Sequence, residues 1–104
     1  DNAGILIVNS HRKIVGFTPN LLRIWNLPEV IIKLLSDQRA LEFVSEGFDN
    51  PKLFLKDMTE IYEQTHLEIN EKVQLKDGRI IERHSKPLCF NGVYAGRLWR
   101  FKRH

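Results

Sequence analysis

Between Leu67 and Phe90, two strand-like runs flank Lys76-Asp77-Gly78, and apolar and polar positions alternate along the first of them. An Asp-Gly flanked by runs of Ile, Val and Leu is the signature of a β-hairpin, because glycine enters positive φ without steric cost. On the first strand Leu67, Ile69, Glu71, Val73 and Leu75 share one face, and Glu68, Asn70, Lys72 and Gln74 take the other. Past the turn Ile80 and Ile81 point to opposite sides, so the turn type decides the register. A two-residue turn sets Val73 opposite Glu82. A three-residue loop with left-handed Gly78 sets Val73 opposite Ile81 and Glu71 opposite Arg83, which pairs apolar with apolar and acid with base, and is preferred.

The remaining pattern is built around that hairpin. Gly4 to Val8 and Lys13 to Phe17 read as a first hairpin joined by Asn9-Ser10-His11-Arg12. Thr18-Pro19 predicts a helix start, with Thr18 capping, and a short apolar helix stopped by Pro28. Glu29 to Leu35 and Asp37 to Phe48 predict two more short helices. The longest helix opens at Asp49-Asn50-Pro51, where Phe54, Met58, Ile61, Tyr62 and Thr65 recur at helical spacing. Asn91-Gly92 predicts a tight turn into a last strand, Val93 to Phe101, and Pro87 predicts a bulge in the strand before it. Two strands, a set of helices and three strands make an α+β fold: a five-stranded antiparallel sheet with helices covering one face.

Composition narrows the class. The 104 residues read as one domain over 1–104, and the opening at Asp1 with a break after a strand-like run reads as a piece excised from a larger protein. Hydrophobic content of 42% and charged content of 28% are those of an ordinary globular domain. No run is long enough to span a membrane, so the expectation is a cytoplasmic domain without membrane contact. The single Cys89 excludes an internal disulfide and a multi-cysteine metal site. The net charge of +3 is mild, and Arg97, Arg100, Lys102 and Arg103 crowd one end, which speaks against nucleic acid as a partner.

With the order of elements in place, the chain resembles a PAS sensor domain over essentially its whole length. The resemblance is carried by Gly4-Ile5-Leu6-Ile7-Val8-Asn9, Lys13-Ile14-Val15, Leu22 to Pro28, Leu75 to Arg83 and Gly96 to Phe101. It is similar above all to the PAS domains of bacterial multidomain sensory histidine kinases and diguanylate cyclases. Asn9 and Thr18 depart from the family's usual Asp and Asn, and Lys102-Arg103-His104 stands where Asp-Ile-Thr is usual. The resemblance implies a cavity between sheet and helices that takes haem, flavin or a small metabolite in different members. Cys89 lies on a strand, not on a helix as in flavin photoreceptors. The long helix has no axial histidine, since His66 comes only at its end, so both cofactors are disfavoured.

Arg83 is the leading candidate for the pocket, since the preferred register turns it to the covered face, matching a ligand-contacting strand position of flavin-binding relatives. A buried guanidinium needs a partner. Two readings stay open: Glu71 neutralises it, or Arg83 with Ser85 offers donors to an anionic ligand. Trp25, Phe43, Phe54, Met58, Tyr62, Trp99 and Phe101 are candidate pocket walls, though packing alone accounts for each. Ile5, Ile7, Ile80 and Leu98 are candidates for an apolar outer sheet face that pairs with a second copy. No catalytic or metal-binding constellation is found, and His11, His66, His84 and His104 lack ligand spacing. The expected function is a non-enzymatic sensing and dimerisation module of a two-component histidine kinase, detecting a small ligand or partner in the cavity between sheet and helices and joined to an output domain in the same chain. The alternatives are a passive dimerisation or spacer domain and the sensor module of a diguanylate cyclase.

Overall fold

A computed structural model describes residues 2–104. Five strands, β1 (Gly4–Asn9), β2 (Ile14–Phe17), β3 (Ile69–Gln74), β4 (Ile80–Phe90) and β5 (Val93–Arg103), form an antiparallel sheet in the order β2-β1-β5-β4-β3. Four helices, α1 (Pro19–Trp25), α2 (Glu29–Ile32), α3 (Asp37–Ser45) and α4 (Pro51–Glu63), lie between β2 and β3 in sequence. The core is the layer between them and the sheet: Leu6, Val8, Ile81, Trp99 and Phe101 from the strands meet Leu21, Ile24, Leu41, Phe54 and Met58 from the helices. No helix among the described residues is long and apolar enough to cross a membrane.

The central hairpin has the preferred register. Val73 faces Ile81 and Glu71 faces Arg83, with Gly78 at φ 93° and the Leu75 N–H donating to the Arg79 carbonyl at 2.8 Å. Asn91 and Gly92 both take positive φ, as a two-residue hairpin turn requires. The two longer helices are capped by side chains, Ser36 accepting from the Arg39 N–H and Asn50 from the Leu53 N–H.

Three local expectations are corrected. The Thr18 side chain does not cap α1; its Oγ1 accepts the Ile5 N–H at 3.0 Å, tying the helix entry to β1. The helix expected over Glu29 to Leu35 stops at Ile32, because Leu35 turns left-handed and its carbonyl accepts the Ile14 N–H at 2.8 Å. Pro87 stays in register with Arg97, and the ladder shifts one step later, between Leu88 and Cys89, where Ala95 of β5 is left without an opposite residue. Gly96, at φ 147°, absorbs the bend.

Candidate functional site

Between sheet and helices lies a small apolar cavity of about 30 Å³, whose walls include Leu21, Trp25, Phe54, Met58 and Phe101 and whose polar members are Arg83 and Asp37. That is room for about one or two waters. Each charged side chain is held by its own network.

Arg83 projects from the inner face of β4 and is 4% exposed. Its Nε donates to Glu71 Oε1 at 2.9 Å and its Nη2 to Asp57 Oδ2 at 3.0 Å, with a second contact from Nη2 to Glu71. Glu71 comes from the neighbouring β3, whereas Asp57 comes from α4, so the guanidinium fastens helix to sheet. The acceptor of Nη1 among the described residues is the Met58 thioether, at 3.2 Å, a weak one. Arg83 also borders an open groove of about 470 Å³ at the α4–β3 seam, lined by Phe48, Asn50, Leu53, Asp57 and Val73. Both readings of Arg83 are thereby narrowed: it has two carboxylate partners, and an anion would have to displace one of them.

Ser85 is not a partner of Arg83. It accepts Nη1 of Arg97 at 2.9 Å, because the β4–β5 register sets Arg97 opposite Pro87 and thus diagonal to Ser85 on the same face. Arg97 is fully buried, and its Nη2 donates at 3.1 Å to the carbonyl of Gln64, the C-cap of α4. A cation at that end satisfies a carbonyl the helix leaves open and complements its dipole.

The second network crosses the molecule. Trp99 Nε1 donates to the Tyr62 hydroxyl at 2.9 Å, Tyr62 donates to Asp37, and Arg12 Nη2 donates to Asp37 Oδ2 at 3.3 Å while lying over the Tyr62 ring at 4.5 Å. Strand β5, helix α4, the first turn of α3 and the β1–β2 turn are joined in this way. Burial pushes the Asp37 carboxyl above the usual aspartate range, against the pull of Arg12 and the Tyr62 hydroxyl. Burial and the Asp37 charge push the Tyr62 phenol up in turn, so it stays protonated as the donor. Because the folded-state pKa of Asp37 is raised, the folded chain holds this proton where the unfolded chain has released it, and stability falls as pH rises through that window. Lowering pH from about 7 toward about 4 should therefore stabilise the natural protein relative to Asp37→Asn. Urea midpoints of the two proteins across that range measure it; parallel curves would show that Asp37 is not the responsible group.

The other sequence candidates are placed as follows. Trp25, Phe54, Met58 and Phe101 line the cavity, and Trp99 stacks on Phe101 at 5.7 Å behind that wall. Phe43 sits outside it and is 39% exposed, because Ala40, Leu41 and Val44 take the inward positions of α3. Ile7 and Leu98 are paired on the outer face and Ile5 is two residues along β1 from Ile7. Ile80 lies apart, beyond the rows that carry Arg100, His84, Lys102 and Glu82. All four are half-buried. Phe90 and Val93, which the sequence reading passed over, are largely exposed beside the last hairpin turn.

The residues do not fit haem or flavin. Helix α4 offers no histidine, His66 is exposed after its end, Cys89 is exposed on β4, and the cavity has room only for water-sized occupants. No group of three or more His, Cys, Asp or Glu side chains that could hold a metal occurs among the described residues.

No family model and no curated protein matches the sequence. Solved structures do. The PAS domain of BvgS from Bordetella pertussis superposes with a TM-score of 0.74 at 10% identity, over 99% of this chain and 77% of that one. The sensor region of a sensor histidine kinase gives 0.72 at 11% identity over 96% of this chain, which spans only 38% of that protein's chain. The N-terminal domain of a diguanylate cyclase with a PAS/PAC sensor, from Marinobacter aquaeolei, gives 0.58 at 13% identity, over 95% and 91% of the two chains. At these identities the likeness is one of architecture, and the five-stranded sheet with its helices on one face is that of the PAS fold: this chain has it.

Proposed function

We propose that the chain is a signal-sensing and dimerisation module of a bacterial, cytoplasmic two-component histidine kinase, detecting a small ligand in the cavity between sheet and helices. The observation that carries this reading is Arg83, which borders both the small inner cavity and the open groove and grips α4 and β3 through separate carboxylates. An occupant that claims Nη1 or moves Met58 changes how α4 sits on the sheet, and a two-state element biased at one side biases the other. The outer face of those strands, with Ile5, Ile7 and Leu98 at its centre and Ile80 at its margin, is the surface for a second copy. The output domain follows in the same chain, and catalysis resides there. Among fold neighbours, one from Burkholderia thailandensis is a PAS domain in complex with ethanol, a small molecule of the size such a cavity could open to admit.

The test uses the protein with its native output region, in which Arg83→Ala, Trp99→Ala and Leu98→Asp should each alter output, and Leu98→Asp should also shift the dimer toward monomer in sedimentation. Unchanged output in all three folded variants would leave a passive dimerisation or spacer domain, a reading that the small size of the cavity favours. The diguanylate cyclase neighbour makes that enzyme's sensor module the second assignment to try, by exchanging the output region.

A further inference from the structure

At the end of the sheet where β5 finishes, a groove of about 420 Å³ is lined by Asn2, Asn20, Arg23, Ile24, Arg79, Lys102 and Arg103. Four of the seven are cations and none is acidic, although they come from three separate places: α1, the β3–β4 turn and the end of β5. The neighbouring carboxylates do not cancel them. Asp77 is engaged by Arg79 through Nε at 2.9 Å and also feels Arg103, and Glu82 is taken by His104 at 3.0 Å with Lys72 and Lys102 facing it. Among the described side chains, counting both carboxylates against the four cations leaves two positive charges at the groove.

Two of the guanidiniums are fixed in place. Arg79 Nη1 donates to the Ile24 carbonyl at 3.0 Å while its Nε holds Asp77, and its N–H donates to Asp77 Oδ1, so that side chain is pinned between α1 and the turn and is one-fifth exposed. Arg23 Nη1 donates to Asn20 Oδ1 at 2.6 Å, which leaves the Asn20 amide nitrogen as a further donor. A concave surface of preset N–H donors and excess positive charge selects an acceptor-rich anion, and planar guanidiniums suit phosphate oxygens in particular. The volume is that of a small-molecule site rather than of a flat contact.

We infer that this groove is a binding site for a small polyanion carrying two or more phosphate groups, separate from the cavity bordered by Arg83. The probe is inorganic triphosphate, titrated at constant ionic strength with sulfate as control and followed by amide chemical shifts of the isotope-labelled domain. Saturable shifts confined to Asn20, Arg23, Arg79, Lys102 and Arg103 are expected. Arg23→Gln and Arg103→Gln should each weaken the affinity by about tenfold, as loss of one charge-assisted partner would. Both positions are exposed, so the variants keep the fold; Arg79→Gln is the stronger variant and is read only if its spectrum remains native. Shifts that do not saturate, that sulfate reproduces at equal concentration, or that persist unchanged in Arg23→Gln and Arg103→Gln would overturn the site.

Discussion

Replacing Glu71 and Asp57 together by leucine should destabilise the domain by about 3–5 kcal/mol, whereas Arg83→Met should cost little or nothing. The asymmetry comes from where each charge sits. The Arg83 side chain is 5% exposed, and the side chains of Asp57 and Glu71 are 50% and 48% exposed. Removing the carboxylates leaves a buried guanidinium with Met58 sulfur as its remaining acceptor, a weak substitute for solvent. Removing the guanidinium leaves two carboxylates that water already reaches, and puts an apolar chain of similar length among Met58, Phe54 and Phe101. The triple variant should accordingly recover most of the loss. Denaturant unfolding of the four proteins measures it, and an Arg83→Met loss as large as that of the double carboxylate variant would show that the charges are not arranged in this way.

Gly96→Ala should cost about 3–5 kcal/mol, or prevent folding, while Gly78→Ala costs about 1 kcal/mol. Both glycines have positive φ, so both substitutions strain the backbone. They differ in what surrounds them. A Cβ at Gly78 meets nothing within 4 Å, whereas at Gly96 it would be driven into the Val8 carbonyl and lie 2.8 Å from Asn9 Cα. Gly96 pairs with Asn9 in the last pair of the β1–β5 ladder, next to Ala95, which has no opposite residue in β4, so the displacement cannot be relieved without parting β1 from β5 at that end. Thermal unfolding of the two alanine variants separates strain alone from strain with a clash; equal losses would place the cost in φ and leave the close approach without consequence.

The central hairpin was legible because everything that sets it is local. Period-two alternation, Asp77-Gly78 and the requirement that Val73 and Glu71 find suitable partners admit one register, and that register brings Glu71 to Arg83. The helix starts at Asp37 and at Asn50-Pro51 were legible for the same reason, since helical spacing and a proline at the first helical position are local signals. Thr18 shows the limit of such reading, because the same hydroxyl that could cap α1 is claimed by β1 once the two are packed.

What the sequence alone determined is therefore the set of elements, their order and the short-range pairings that alternation and turn chemistry force. Asp57 on Arg83, Asp37 with Arg12 and Tyr62, and Arg97 between Ser85 and Gln64 join side chains from elements that are distant along the chain. Nothing in the spacing of those residues marks them, and each passes in sequence for a surface charge, a helix cap or a strand cation. Only the seating of the helices on the sheet decided their partners. Burial removes water from the charges, and each must then take whichever hydrogen-bonding group the packing has brought within reach.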